Sequence, residues 1–263
     1  MMKFGCNYSS SLMRMIDDGT IEIDAVKMGY FGPFMGLHDM VARRKAILIH
    51  GFGWHEHIGM TSPRTSNEWD LMNEVMDKYN NDTLAVHFSI YEQDMVGRSK
   101  PRDILEAGIR IFDQHTNVPL MIENMDHNPL YNRLCVLKEA VDPGFIREMC
   151  EKYDLSLLLD TAHASVSAYH LGMDIYDYMA QLPLNRVKEV HFIGTELTEN
   201  QGLKDTHTPL EDRDYVLMDW LMARMTPEMI TLEYGWPGQE FMWRTQDEMI
   251  EKQLVKINRR YGQ

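Results

Sequence analysis

Short apolar runs recur along the chain, and each ends in a residue type that binds metals or moves protons. Ala46-Ile47-Leu48-Ile49 runs into His50, Leu84-Ala85-Val86 into His87, and Leu120-Met121-Ile122 into Glu123. Leu157-Leu158-Leu159 runs into Asp160, Val187 to Val190 into His191, and Met229-Ile230-Thr231-Leu232 into Glu233. The terminal residues lie 37, 36, 37, 31 and 42 positions apart. Each step has room for one strand and one helix.

Eight strands are predicted, at 3–8, 23–29, 45–50, 83–89, 118–123, 155–160, 187–193 and 229–233. Most are short and rich in Leu or β-branched residues, which suits strands buried on both faces. Helices fall between them. Trp69, Met72, Val75 and Met76 have helical spacing over 68–79, after the capping box Thr65-Ser66-Asn67-Glu68. Asp142-Pro143 opens a helix through Tyr153, and 212–225 carries Tyr215, Met218, Leu221 and Met222 on one face. A shorter helix is expected at 10–18. The second strand and this first helix have the faintest patterns. Strands alternating with helices predict a parallel sheet with right-handed crossovers. Eight of them predict an α/β fold closed into a (β/α)8 TIM barrel, one domain over 1–263.

Length agrees, since 263 residues suit one such barrel. Lys plus Arg is 26 and Asp plus Glu is 40, a net charge of −14. That balance repels phosphate backbones and anionic lipids, so neither duplex nucleic acid nor a membrane is an expected partner. Cys6, Cys135 and Cys150 are odd in number and show no CxxC spacing, so reduced thiols in a cytoplasm are expected. The 22 methionines read as adaptable core filler. There is no GxGxxG, P-loop or Gly-x-Ser-x-Gly motif, and no nucleotide cofactor is expected.

Active sites of such barrels lie at the C-terminal strand ends, so the six terminal residues converge on one mouth. Two pairs extend the set. Asp160-Thr161-Ala162-His163 brings a second ligand if 161–169 turns into a helix. Asp205-Thr206-His207 lies in the loop after the seventh strand, where alternate residues of an extended segment point the same way. The candidate metal ligands are His50, His87, Glu123, Asp160, His163, His191, Asp205, His207 and Glu233. Five imidazoles and four carboxylates exceed one ion's needs and suit two or three ions bridged by carboxylates such as Glu123. The mixture fits iron, zinc or manganese. Without cations, four carboxylates packed together would repel one another. His55-Glu56-His57 could also reach the mouth. Asn7 and Asn124 are candidates to orient a ligand or bind substrate, and Tyr234 and Trp236 to wall a pocket. His38, His115, His127 and His170 carry no spacing argument, and Glu92 and Asp94 read as loop residues.

The ordered ligand set resembles the xylose-isomerase-like barrel superfamily, and its spacing is similar to endonuclease IV. The words around it are closer to another branch. Leu159-Asp160-Thr161-Ala162-His163-Ala164, Leu182-Pro183-Leu184-Asn185-Arg186-Val187 and Glu189-Val190-His191 resemble the multinuclear non-heme iron-dependent oxidative enzymes of the methanobactin-biosynthesis type, long known as a domain of unknown function. Asp212-Arg213-Asp214-Tyr215-Val216-Leu217 and Thr231-Leu232-Glu233-Tyr234-Gly235 extend the likeness, which is most specific over 118–235. His163 stands where many members have Asn. The resemblance implies two or three irons, dioxygen as oxidant and a peptide cysteine as substrate, with a separate protein presenting the peptide. The alternatives are a zinc or manganese phosphodiesterase and a sugar isomerase or epimerase. In the last, Glu123 and Glu233 would be the catalytic acid and base.

Overall fold

In the computed structural model the described residues are 2–52, 60, 65–95, 97, 99–130, 135–238 and 241–262. The order is β1 (Lys3–Asn7), α1 (Ser10–Asp17), β2 (Ala25–Met28), α2 (His38–Ala42), β3 (Ala46–Ile49), α3 (Ser66–Lys78), β4 (Leu84–Phe88), α4 (Pro101–His115) and β5 (Leu120–Asn124). It continues with α5 (Pro143–Lys152), β6 (Ser156–Asp160), α6 (Thr161–Leu171), α7 (Ile175–Gln181), β7 (Val187–Phe192), β8 (Gly194–Thr198), β9 (Gly202–Thr208), α8 (Asp212–Met222), β10 (Met229–Leu232) and α9 (Asp247–Tyr261).

Eight strands form one parallel sheet in the order β3-β2-β1-β10-β7-β6-β5-β4. The sheet curls until its edges meet at one parallel bridge between His50 and Ala85, which closes the TIM barrel. At this seam Asn81 does a strand's work. Its amide nitrogen donates to Ile47 O at 2.9 Å, and its carbonyl oxygen accepts from Ile49 N at 2.8 Å. Those β3 groups would otherwise lack partners where the ladder is missing.

All eight strands fall within two residues of the predicted ranges. The capping box at Thr65 and Glu68 is formed, and Pro143 opens α5. The segment after β7 departs from expectation. Asp205 and His207 lie on the antiparallel hairpin β8–β9, not in a loop. The hairpin folds over α6, whose Ala162, Ala164, Ser167 and Ala168 are small and buried. Small side chains let β9 pass close enough to carry its residues to the barrel mouth. Among the described residues, no helix is long and apolar enough to cross a membrane.

Candidate metal centre

Six of the nine candidate ligands come from the C-terminal ends of barrel strands or the first residues after them, Asp205 and His207 come from the hairpin strand β9, and His163 comes from the first turn of α6. Asp160 ends β6 and also N-caps α6, its Oδ1 accepting from His163 N at 2.7 Å. The Asp-x-x-His word is therefore a cap and its third helical residue, and the helix start swings His163 inward. His163 Nδ1 donates to Asn124 O at 2.9 Å, leaving Nε2 as the free donor atom. His207 Nδ1 donates likewise to Glu233 O at 3.0 Å. His207 has φ of 50°, and the hairpin register shifts between Gly194 and Thr195. The bulge and this left-handed residue aim the ring, so the simple alternation expected of an extended segment is not the cause.

Three donor sets result. In the first, Glu123 Oε2 lies 3.0 Å from His50 Nε2 and 3.2 Å from His87 Nε2. In the second, His191 Nδ1 lies 3.2 Å from Glu123 Oε1, 3.4 Å from Glu233 Oε1 and 3.8 Å from Asp160 Oδ2. The third is a looser grouping around one oxygen: Asp205 Oδ2 lies 3.5 Å from His163 Nε2 and 3.4 Å from His207 Nε2. Two ligand atoms each about 2.1 Å from a tetrahedral ion lie about 3.4 Å apart. The observed separations bracket that value. Glu123 Oε2 and Asp160 Oδ2 are buried and lack hydrogen-bond partners among the described residues. Carboxylate oxygens left this way fit cation binding.

The electrostatics follow from burial and crowding. Burial pushes Glu123 up, but the imidazoles of His87, His50 and His191 hold its carboxyl well below the usual range. Asp160 goes the other way: burial and the charges of Glu233, Glu123 and Asp205 raise it, against the pull of His163. Burial pushes His191 down, yet Glu233 and Glu123 bring it up to about 10. His50 is pushed down to about 4 by burial and by Lys27. Divalent ions and protons compete for these lone pairs.

Several contributors carried no sequence signal. Lys27, in the all-buried run of β2, pairs with Glu233 and lies 2.9 Å from His191 Nε2. Glu189 faces the same nitrogen at 3.5 Å and accepts from Thr231 Oγ1. Arg244 lines a cavity of about 180 Å³ together with Asn7, Phe31, Phe34 and Trp236 and with six of the candidate ligands. Of the softer candidates, Asn124 orients His163 and ties β5 to β6, while Tyr234 is core, its hydroxyl donating to Trp243 O. Trp236 and Asn7 do face the cavity. His38, His127 and His170 bond backbone carbonyls, and His115 stacks on Trp69. Glu92 and Asp94 form a short turn. His55, Glu56 and His57 lie outside the described residues.

Residues 28–241 match the family described as RiPP precursor modification enzyme MbnB/TglH/ChrH. The chain belongs to this family. A UPF0276 protein of Caulobacter vibrioides is 36% identical over 131 residues, 48% of this chain and 44% of that one. Another, from Rhizobium meliloti, is 28% identical over 170 residues, 58% and 52%. The chain thus spans about half the length of these two relatives. A UPF0276 protein of Bordetella pertussis is 26% identical over 247 residues, 86% and 82%. A xylose isomerase domain protein from Planctomyces limnophilus superposes with TM-score 0.56 at 11% identity, covering 99% of this chain and 98% of that one. The probable 3-DHS dehydratase AsbF from Bacillus anthracis gives 0.55 at 12%, covering 97% and 98%. At such identities the likeness fixes the fold alone, a xylose-isomerase-like barrel. The chain thus combines membership in this family with buried clusters of His, Glu and Asp that could hold metal ions.

Proposed function

We propose that the chain is an iron-dependent oxidase that uses dioxygen to modify a cysteine thiol of a peptide. The observation that carries this reading is the composition of the donor clusters. They combine imidazoles and carboxylates, two of them share Glu123, and none includes a cysteine of the chain's own. Burial raises the Cys6 thiol and pushes Cys150 up to about 12, so neither competes as a thiolate. A substrate thiolate would be the one soft ligand at a site whose nitrogen and oxygen donors suit iron. Membership in a family of precursor-peptide modifying enzymes favours a peptide as the carrier of that thiol.

Bound iron would supply one-electron chemistry and activation of dioxygen. The chain's residues supply the rest. Glu123 would join two of the ion positions through its two oxygens. Asn124 and Glu233 fix His163 and His207 through their backbone carbonyls. Phe31, Phe34 and Trp236 form an apolar wall of the cavity that the cluster lines. A separate protein presents the peptide to this mouth.

The test is elemental analysis of protein purified anaerobically without chelator, followed by oxygen uptake with a cysteine-containing peptide. Two or three irons per chain and peptide-dependent uptake are expected. Protein loaded only with zinc and active on phosphodiesters would overturn the proposal.

A further inference from the structure

Arg244 stands at the end of the short turn Met242–Arg244 and is only 8% exposed. Its guanidinium carbon lies 4.7 Å from the ring centroids of both Trp236 and Phe241. Two aromatic rings therefore flank the guanidinium. Its Nε is buried and has no hydrogen-bond acceptor among the described residues. The same side chain lines the cavity that holds His50, His87, Glu123, His163, His207 and Glu233. Glu233 and Asp205 act on it only through space, and burial outweighs them. A desolvated guanidinium with an unpaired nitrogen is costly to maintain unless a ligand completes it.

We propose that Arg244 receives a carboxylate of the substrate, so the molecule modified at the metal centre is an anion carrying that carboxylate beside its reacting group. The identity of the reacting group as a thiol rests on the oxidase reading; the anion site does not. A planar fork matches a carboxylate through two parallel N–H donors. The four carboxylates of the cluster would repel a phosphate dianion more strongly than a monoanion, which favours the carboxylate. Because the guanidinium is buried, a neutral analogue leaves it unpaired and binds worse.

Binding calorimetry on the protein as purified, with its metals, tests this. The probes are N-acetylcysteine, acetyl-Cys-Asp-amide and the neutral N-acetylcysteinamide. At least one acid should bind about 10- to 100-fold tighter than the neutral amide. The acid with the larger preference tells whether a terminal or a side-chain carboxylate is received. Arg244→Gln should remove the preference, and Arg244→Lys should keep part of it, because the charge stays and the fork is lost. Equal binding of all three probes by the wild type, or an undiminished preference in Arg244→Gln, overturns the proposal. Propionate against propanamide separates it from the oxidase reading: an Arg244-dependent preference there stands even if no thiol is oxidised. Oxygen uptake without any acid preference keeps the oxidase and removes the anion site. Should Arg244→Gln fail to fold by circular dichroism, the propionate pair on Arg244→Lys and wild type decides; an identical preference in both overturns the proposal.

Discussion

From β5 through β6 to β7, ligand-bearing strands pair over several residues, and protein groups pin the ligands from behind. Asp160 N donates to Asn124 Oδ1, and Asn124 Nδ2 donates to Asp160 O, both at 2.9 Å. The β3–β4 seam is joined by one bridge and one asparagine. Side-chain exposure follows: 1%, 0% and 0% for Glu123, Asp160 and His191, but 15% and 26% for His50 and His87. His50 Nδ1 is buried with no partner among the described residues. The wall orients its ligands before any ion arrives, whereas the seam depends on the ion and on Glu123 to orient its two rings. An ion on His50 and His87 should therefore exchange faster with a chelator than one on His191.

The largest expected effect removes the residue the two regions share. Glu123→Ala should empty both the seam set and the His191 set, leaving at most the ion on His163, Asp205 and His207. Elemental analysis reads this directly; full occupancy in Glu123→Ala would break the assignment of both sets. Next comes the wall's own fixture. Asn124→Ala strands the fully buried N–H of Asp160 and leaves a gap between β5 and β6, a loss of about 3 kcal/mol in urea unfolding. A loss below about 1 kcal/mol would mean the wall is not held this way. Glu189→Gln touches only the group behind His191. It should weaken binding there about tenfold, and leave the seam ion alone, in a chelator competition.

The residues named in these tests differ in how far the sequence disclosed them. The strand-end ligands were legible because a parallel barrel converts a periodic sequence into a spatial ring: each apolar run ends at the same height. Asp160 and His163 were legible because a cap fixes their spacing. Lys27 was hidden because one charge inside Ala25-Val26-Lys27-Met28 weakens the strand signal. That charge is explained only by carboxylates from strands distant in sequence. The β8–β9 hairpin was hidden because its polar, half-buried residues lack strong alternation, and its shape comes from lying on α6. Arg244 had no spacing to reveal it, since its partners are ring faces brought together by tertiary packing.

Titration should separate the two regions in metal-free protein. His191 on the wall is raised to about 10, so its stabilisation is complete below about pH 6.5, the ordinary imidazole value, and is lost as pH rises through about 10. His50 at the seam is lowered to about 4, so the unfolded chain takes the proton first, and stability is lost as pH falls from about 6.5 to about 4. Melting temperature against pH should trace a dome with flanks of about 3 °C. His191→Ala should flatten the alkaline flank and His50→Ala the acid one. Unchanged flanks in both variants would remove the electrostatic half of the comparison.

The smallest expected effect belongs to Asn81, and it sharpens the comparison most because its chemistry duplicates that of Asn124. Each asparagine gives one donor and one acceptor to a neighbouring strand, at nearly equal distances. They differ in access to water: Asn124 is fully buried and Asn81 is half-buried. When Asn81→Ala removes the stitch, water can satisfy Ile47 O and Ile49 N, so the cost should be about 1 kcal/mol, against about 3 kcal/mol for Asn124. The functional readout should run against that order. Loosening β3 displaces His50, whose ring Nδ1 has no partner among the described residues, so Asn81→Ala should speed chelator removal of the seam ion more than its stability loss suggests. If both variants cost the same in urea and leave the exchange rates of the ions equal, the seam and the wall are one structure, and the distinction between them falls.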